Sequence, residues 1–190
     1  VEHRTFGNNG KVVSCSALKS KYDSHSAPVT ALQLCNGEVW IGYRHSLYRM
    51  NGEKGQQLNL SKIYPDFTLD DQTSIHCFCS YGGYLWIGTN HGLFRLNPKT
   101  GEKKGYFQQD DNVYSLTQND ITALAVSQRH ELVVATTKGL NFYNPATDGF
   151  VRIVSSRETM ENVISCNLIK CLYADKSMLW IGTEIGGMDK

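Results

Sequence analysis

The sequence has no excess of either charge and no long hydrophobic run. Its 190 residues include 19 Lys and Arg and 18 Asp and Glu, so the formal net charge is +1. A nearly neutral chain without a basic block has no field that attracts nucleic acid, and we expect no such partner. No apolar run approaches the roughly 20 residues of a membrane-spanning helix, so we expect no direct membrane insertion by this segment. The polar N-terminal stretch VEHRTFGNNG shows no signal peptide.

Sequence motifs for catalysis and for cofactor binding are also missing. No CxxC, GxSxG, HExxH, P-loop or EF-hand pattern occurs. The adjacent acidic pairs, Asp70-Asp71 and Asp110-Asp111, lie in polar linkers and do not have the facing arrangement of glycosidase carboxylates. We therefore expect no catalytic residue, no metal site and no cofactor in this chain.

The six cysteines, at positions 15, 35, 77, 79, 166 and 171, do not form a recognisable disulfide framework. Cys77 and Cys79 are two residues apart on a predicted strand, so both would point to the same face and make a poor disulfide pair. We expect Cys77, Cys79 and Cys171, on inner strands, to be reduced and mostly buried as small apolar fillers.

The main positive feature of the sequence is an internal repeat. Aligned on the tryptophan of LWIG, the matching residues are Trp40, Trp86, Val133 and Trp180, at steps of 46, 47 and 47 residues. Other short runs keep a constant distance from this position. They are VTALQL, IHCFCS, ITALAV and LIKCLY before it, SLYRMN, GLFRLN and GLNFYN after it, and finally GQQLNL, GEKKGYF and GFVRIV.

Each period therefore contains four short runs, rich in β-branched and aromatic residues and separated by Gly, Asn, Asp and Pro. This pattern predicts four strands and no amphipathic helix of useful length. Four strands in a period of this length are typical of a β-propeller blade. The sequence thus predicts an all-β fold, a partial β-propeller of about four four-stranded antiparallel blades with a 46–47 residue repeat. We name the strands of a blade A to D from the centre outwards.

The same repeat predicts how the blades are packed. Strand B lies between A and C and has a neighbouring blade on each face, which explains its continuous apolar run. We expect Trp40, Trp86 and Trp180 to be mostly buried between blades.

We expect residues 1–190 to form a single incomplete propeller segment. It would hold strands C and D of a first blade, three full blades starting near residues 29, 75 and 121, and a partial last blade from about residue 168. Closing four blades into a ring would place Val1–Thr5 and Met188–Lys190 in the same strand position. We therefore expect the remaining blades of the parent chain to pack against this segment.

The motif LWIGTNHGLFRLNPKTG and the segment DNVYSLTQNDITAL resemble the two-component regulator propeller repeat. The resemblance covers essentially the whole chain, although Tyr43 and Ser46 stand where the family has Thr and Gly, and LVVATTKGL has no Trp. In that family these repeats build the extracytoplasmic sensor region of Bacteroidetes hybrid two-component systems, whose histidine kinase lies elsewhere in the parent protein. The resemblance implies a periplasmic location, as part of a membrane-anchored receptor, and glycan breakdown products as ligands.

More than one function stays open at this point. The favoured one is a non-catalytic ligand-binding segment of a periplasmic two-component receptor that responds to oligosaccharides. The alternative is a scaffold propeller for protein–protein interaction with no small-molecule ligand. A propeller glycosidase or lyase is a third, less favoured class. The sequence also leaves a homodimer open.

The candidate ligand-binding residues lie at one end of the blades. In a propeller the B–C turns and the D–A links surround the mouth of the central channel, and loops there can vary while the blades stay fixed. Polar side chains in these loops can bond sugar hydroxyls, and Tyr43 offers the face of a ring. The candidates are Tyr43, Arg44, His45, His76, Asn90, His91, Lys138 and Glu184.

Overall fold

A computed structural model describes residues 2–6, 12–17, 28–44, 46–50, 73–155 and 164–190. In 2–6, 12–17 and 50 it describes the backbone only. These ranges form 16 strands in five antiparallel sheets. They contain no helix, and so none with the length and apolar character to cross a membrane.

The five sheets follow one another along the chain. The first contains β1 (Glu2–Phe6) and β2 (Val12–Ala17). The second contains β3 (Val29–Cys35), β4 (Glu38–Tyr43) and β5 (Ser46–Met50). The third contains β6 (Ile75–Tyr81), β7 (Tyr84–Thr89), β8 (Gly92–Leu96) and β9 (Lys103–Tyr106). The fourth contains β10 (Ile121–Val126), β11 (Leu132–Thr136), β12 (Gly139–Asn144) and β13 (Gly149–Ile153). The fifth contains β14 (Ile169–Ala174), β15 (Leu179–Thr183) and β16 (Met188–Asp189).

Within each sheet the strands pair in sequence order, so every sheet is a meander. This confirms the predicted partial propeller of antiparallel blades. Strand A of successive blades is β3, β6, β10 and β14, and strand B is β4, β7, β11 and β15. The predicted strand D at 55–60 lies outside the described residues. That the chain is one incomplete propeller segment stays a prediction.

The hairpins between strands A and B show how the sequence forms these sheets. Asn36 and Gly37 have φ of 52° and 79°, and Gly82 and Gly83 have 60° and 79°. Two consecutive residues with positive φ form a type I′ turn, whose twist matches that of the flanking strands. Asn-Gly and Gly-Gly are the residue pairs that adopt this turn at least cost.

The hydrophobic core lies between the blades. Trp86 of β7 packs face to face with Tyr106 of its own blade, at 5.4 Å between ring centroids. The ring of Tyr143, from the next blade, meets Trp86 edge to face at 4.8 Å. Strand β11 is buried along its whole length, as predicted for a strand with a blade on each face.

One of the three tryptophans is less completely buried than the other two. Trp40 and Trp86 are each 1% exposed, which confirms their predicted burial. Trp180 is partly exposed but still mostly buried, as predicted. Its side of the β14–β16 sheet is not covered by a further described blade, whereas the equivalent side of β6–β9 is covered by β10–β13.

The cysteines also differ in burial between the inner blades and the last sheet. All five cysteines whose side chains are described are free. Cys79 is buried and Cys77 half-buried, and burial raises the pKa of Cys77 to about 12 and that of Cys79 to about 11. The expected burial is wrong for Cys171, which is exposed because it lies on the same uncovered side as Trp180.

Candidate ligand-binding site

Each inner strand is irregular at the same place. Its pairing with strand B shifts register near the first residue, and the shifts fall between 29 and 31, 75 and 77, 121 and 123, and 169 and 171. One residue per strand is thereby left out of the ladder, as in a β-bulge. Such bulges re-aim a side chain and are common beside functional sites. The residues left out are Thr30, His76, Thr122 and Lys170.

The bulges lie at the same end of the blades as the B–C turns. The amide of Ile75 donates a hydrogen bond to the carbonyl of Arg44, in the turn of the preceding blade, at 3.0 Å. The amide of Asn90 donates to the carbonyl of Ser74 at 3.2 Å. The turn residues are therefore held next to the start of the inner strands.

His76, the bulged residue of β6, reaches the next blade. Its Nδ1 lies 3.0 Å from the carbonyl oxygen of Ile121 and 3.6 Å from Oδ1 of Asp120. Because both neighbours of Nδ1 are acceptors, Nδ1 is the donor of the hydrogen bond to the carbonyl of Ile121. The side chain of His76 is 36% exposed, so a ligand can reach it from solvent.

Lys170, the bulged residue of β14, is paired with a predicted site residue. Its Nζ donates to Oε2 of Glu184 at 2.5 Å. The hydrogen bond to Glu184 and the charge of that residue raise the pKa of Lys170, and the charge of Asp120 raises it further. Lys170 therefore stays charged at neutral pH.

These residues form a polar group that we call the inner-strand site. Its members are His76, Asp120, Thr122, Lys170 and Glu184. Two of its oxygen atoms, Oδ1 of Asp120 and Oγ1 of Thr122, are buried and have no hydrogen-bond partner among the described residues. Thr30 differs, since its hydroxyl donates to the carbonyl of Gly42 at 3.2 Å.

The B–C turns hold their outermost residues in fixed positions through threonine. Oγ1 of Thr89 donates to the carbonyl of Gly92 at 2.8 Å and accepts from the amide of His91 at 3.0 Å. Thr136 makes the same two bonds in the turn that carries Lys138. The side chains of His91 and Lys138 are exposed at the tips of these turns.

The other predicted site residues differ in how exposed their side chains are and in whether those side chains already make contacts. Tyr43 is half-buried, and its ring packs edge to face against another tyrosine at 5.1 Å. Arg44 is exposed. Oδ1 of Asn90 accepts from the amide of Ser74 at 2.6 Å, so this side chain helps to shape the turn. His45 lies outside the described residues. The role of all eight predicted residues in ligand binding stays a prediction.

Sequence reasoning missed Asp120, Thr122 and Lys170. The signal for Thr122 and Lys170 was present, because both occupy the repeat position of His76. Asp120 lies just before β10 and meets His76 across the boundary between two blades. That contact depends on how neighbouring blades pack, which the repeat period does not reveal.

A second polar cluster ties two blades together near the C–D turn, at the end of the blades opposite to the B–C turns. Oδ1 of Asp148 accepts from the hydroxyls of Tyr106 and Tyr143, both at 2.6 Å. Its carboxylate also accepts from Nζ of Lys104 at 2.5 Å and from Nη1 of Arg95 at 3.4 Å. Tyr106, Lys104 and Arg95 belong to the preceding blade. This cluster is an inter-blade contact and not part of the inner-strand site.

The electrostatics of the cluster follow from these contacts. Burial alone raises the pKa of Asp148, but the hydrogen bonds from Lys104, Tyr106 and Tyr143 and the charge of Arg95 outweigh it and lower the pKa to about 2. Burial and the hydrogen bond to Asp148 raise the pKa of the Tyr106 hydroxyl above its ordinary value. The carboxylate is thus charged and the phenol neutral over the physiological range.

Within the described part of the chain, no group of three or more His, Cys, Asp or Glu side chains converges to hold a metal ion. What the inner-strand site offers is a set of hydrogen-bonding groups, open to solvent at His76.

No protein-family model matches the chain, and no curated protein matches it. Solved structures do. One extracellular domain assigned to a hybrid two-component system of B. thetaiotaomicron has a TM-score of 0.71, at 19% identity over 95% of this chain and 23% of that chain. A second such domain has a TM-score of 0.70, at 20% identity over 86% of this chain and 23% of that chain. PorZ is a surface component of the type-IX secretion system of Porphyromonas gingivalis. It has a TM-score of 0.64, at 16% identity over 98% of this chain and 30% of that chain.

The chain thus spans about a quarter of the two extracellular domains and somewhat more of PorZ. At this identity the likeness shows a shared fold. The neighbours agree with the resemblance of the repeat motifs to the two-component regulator propeller family.

Proposed function

We propose that this chain is a non-catalytic, ligand-sensing segment of an extracytoplasmic receptor of the hybrid two-component type, and that it responds to oligosaccharides in the periplasm. The likeness to extracellular domains of such systems and the repeat motifs support this proposal. The histidine kinase would lie elsewhere in the parent protein.

The repeated bulge is the observation that carries the proposal. All four inner strands have a bulge at the end that bears the B–C turns, and bulges are common beside functional sites. At this end His76, His91, Lys138 and Glu184 are polar and at least partly exposed. Several hydrogen-bonding groups on a rigid scaffold are what recognition of a hydroxyl-rich ligand requires.

The alternative, a scaffold propeller without a small ligand, is supported by a different observation. Apolar side chains are exposed on the β14–β16 sheet, including Tyr173 and Met188. Large exposed apolar patches mark protein–protein contacts. A sensor and a scaffold differ in whether a saccharide binds at all.

The test is calorimetry of the receptor region with a panel of oligosaccharides, comparing wild type with His76→Ala and with the His91→Ala/Lys138→Ala double variant. We expect binding to the wild type and a loss of about tenfold or more in affinity in each variant, because each lacks hydrogen bonds to the ligand. Arg129→Ala is the matched control, since Arg129 is exposed in an A–B turn at the opposite end.

Unchanged affinity in both variants would remove this end of the blades from consideration. Binding by no saccharide on the panel would favour the scaffold. Shortened oligosaccharides in the same mixtures, detected by chromatography, would show catalysis and overturn the non-catalytic proposal.

A further inference from the structure

A cleft opens to solvent between the outermost strands of the third and fourth sheets, and we call it the rim cleft. Its walls are the forward side of β9, the link at 109–115, and the C–D turn that leads into β13. The cleft has a volume of about 400 Å³, which is within the range of small-molecule sites. None of its lining residues belongs to the inner-strand site, so the two sites are separate.

The charged pair of Lys104 and Asp148 lines the rim cleft and is positioned from behind. Oδ1 of Asp148 accepts from the hydroxyls of Tyr106 and Tyr143, which hold the carboxylate in one orientation. Among the described residues, Oδ2 accepts from Nζ of Lys104 alone, at 2.5 Å. An ammonium group has three donors and a carboxylate oxygen has two lone pairs, so both atoms keep bonding capacity. The side chains of Lys104 and Asp148 are 47% and 34% exposed, so a ligand in the cleft can reach them.

Tyr114 provides an aromatic side chain on the wall formed by the link. Its amide donates to Oδ1 of Asn112 at 3.0 Å, and its carbonyl accepts from the amide of Phe150 at 2.8 Å. The backbone of Tyr114 is thus fixed both to the link and to the next blade, while the residue stays 62% exposed. On the same wall, Oε1 of Gln109 accepts from Asn112, which leaves the Nε2 donor of this exposed residue for a ligand.

The charges at the rim cleft disfavour an ionic ligand. An anion would lie beside the carboxylate of Asp148. A cation would lie beside the ammonium of Lys104 and near the guanidinium of Arg95, whose Nη1 is 3.4 Å from Oδ1 of Asp148. Like charges at short range repel one another, so either ion would lose much of what it gains from the opposite charge. A neutral ligand avoids this cost.

A hydroxyl group matches the charged pair, because it can both donate and accept. One hydroxyl can donate to Oδ2 of Asp148 while the next accepts from Nζ of Lys104, and both bonds are charge-assisted. Vicinal hydroxyls of a sugar ring are suited to this, since the two protein atoms are themselves direct neighbours. The apolar C–H face of the same ring can pack on an aromatic ring such as that of Tyr114.

We propose that the rim cleft binds a neutral saccharide, with two vicinal hydroxyls bonded to Lys104 and Asp148 and the sugar ring against Tyr114. The inference goes beyond the proposed function, which places recognition at the end of the blades that bears the B–C turns. It does not rest on that function, because the residues of the two sites are different.

Three small probes test the chemistry of the rim cleft. Methyl β-D-glucopyranoside has vicinal hydroxyls, its fully O-methylated derivative has no hydroxyl donor, and inorganic phosphate is an anion. NMR would follow the amide signals of Tyr114 and Asp148 for this cleft and that of His76 for the inner-strand site. We expect saturable shifts of Tyr114 and Asp148 with the glucoside, and none with the other two probes at the same concentration.

Two matched pairs of variants locate the binding. Tyr114→Ala should weaken glucoside binding by about tenfold, because the aromatic contact is lost. Tyr173→Ala is its control, since Tyr173 is similarly exposed, at 67%, but lies in the last sheet. Lys104→Met should also cost about tenfold, because a charged donor is lost, whereas Lys103→Met, on the same strand but outside the cleft, should not. The dispersed amide spectrum of each variant reports whether it is folded.

Equal shifts with the O-methylated derivative or with phosphate would overturn the inference, as would no shift of Tyr114 and Asp148 with the glucoside. Shifts at the rim cleft that persist in His76→Ala would support the inference, whatever becomes of the proposed function. Saccharide shifts confined to His76 and its neighbours would support the proposed function and overturn the rim cleft as a binding site.

Discussion

At the scale of single residues, Asp148 shows how one side chain can join two blades. Its φ of 50° is in the left-handed region, which Asp tolerates better than most residues. The C–D turn that carries it, NPATDG, has the same length as the equivalent NPKTGE of the preceding blade, and Asp148 stands where that turn has Gly101, whose φ is 79°. This Asp in place of Gly puts a carboxylate among the tyrosine, lysine and arginine side chains of the preceding blade.

Replacing Asp148 should make stability less dependent on pH. The pKa of Asp148 is lowered in the folded state to about 2, so its contribution is present above the unfolded pKa of about 4 and is lost as pH falls towards 2. We expect Asp148→Asn to lower the free energy of unfolding by about 1–2 kcal/mol at pH 7, a figure reduced for solvent screening of a partly exposed group. Urea unfolding at pH 7 and pH 2.5 would measure it, with Asp111→Asn as control. An equal loss at both pH values would contradict this account.

At the scale of elements, strand B is limited by the space between blades. A Cβ atom on Gly88 would lie 2.6 Å from Sγ of Cys77 and 2.7 Å from Cγ2 of Ile121, which belongs to the next blade. Ala135 occupies the equivalent position of β11, where the neighbouring inner strand carries Ala123 in place of Cys77. The size of this strand B residue is therefore matched to its neighbour on the inner strand. The pair is Gly with Cys in one blade and Ala with Ala in the next.

Gly88→Ala should destabilise the chain by about 1–3 kcal/mol, the usual cost of overpacking a core. Gly182→Ala is the matched control. Its Cβ would approach Sγ of Cys171 at 2.5 Å, but Cys171 is exposed and its side chain can rotate away. Thermal unfolding of both variants measures the difference, and an equal loss of stability in the two would contradict this explanation.

At the scale of the whole molecule, the inner strands form a row from β3 to β14, and the sheets at both ends of this row carry exposed apolar side chains. On β3 these include Leu34, which is 63% exposed. On the last sheet they include Tyr173 and Met188, at 67% and 68%. The equivalent positions of the inner blades are covered by a neighbouring blade, so the end surfaces have the composition of an inter-blade contact.

We expect the 190-residue chain to self-associate through these ends in a concentration-dependent way, since exposed apolar patches promote association. The double variant Tyr173→Lys/Met188→Lys should shift the distribution towards monomer in sedimentation velocity experiments. Ser177→Lys, in an exposed turn, adds charge without altering the patch and serves as control. A wild-type chain that is monomeric at all concentrations would contradict the expectation.

The fold was largely predictable from the sequence because the same order of strands and turns occurs several times along the chain, and each copy supports the same assignment. Trp40 and Trp86 mark strand B, and the Asn-Gly and Gly-Gly pairs mark the hairpins that lead into it. The site was predictable only in part. His76 and Glu184 were found from their repeat positions, but their partners Asp120 and Lys170 depend on the bulge and on contacts between blades. Periodicity describes a single blade and carries no information about such contacts.

The threonine-braced B–C turns have a consequence for how recognition can change. Thr89 and Thr136 each bond two backbone atoms of their own turn, and Thr136 also bonds the hydroxyl of Thr117. None of these bonds involves the side chain of His91 or Lys138 at the tip. The side chain at the tip of each turn can therefore be exchanged while the backbone of the turn keeps its conformation. Substitutions at the tips can alter charge and shape at this end of the blades one position at a time, without requiring compensating changes in the strands.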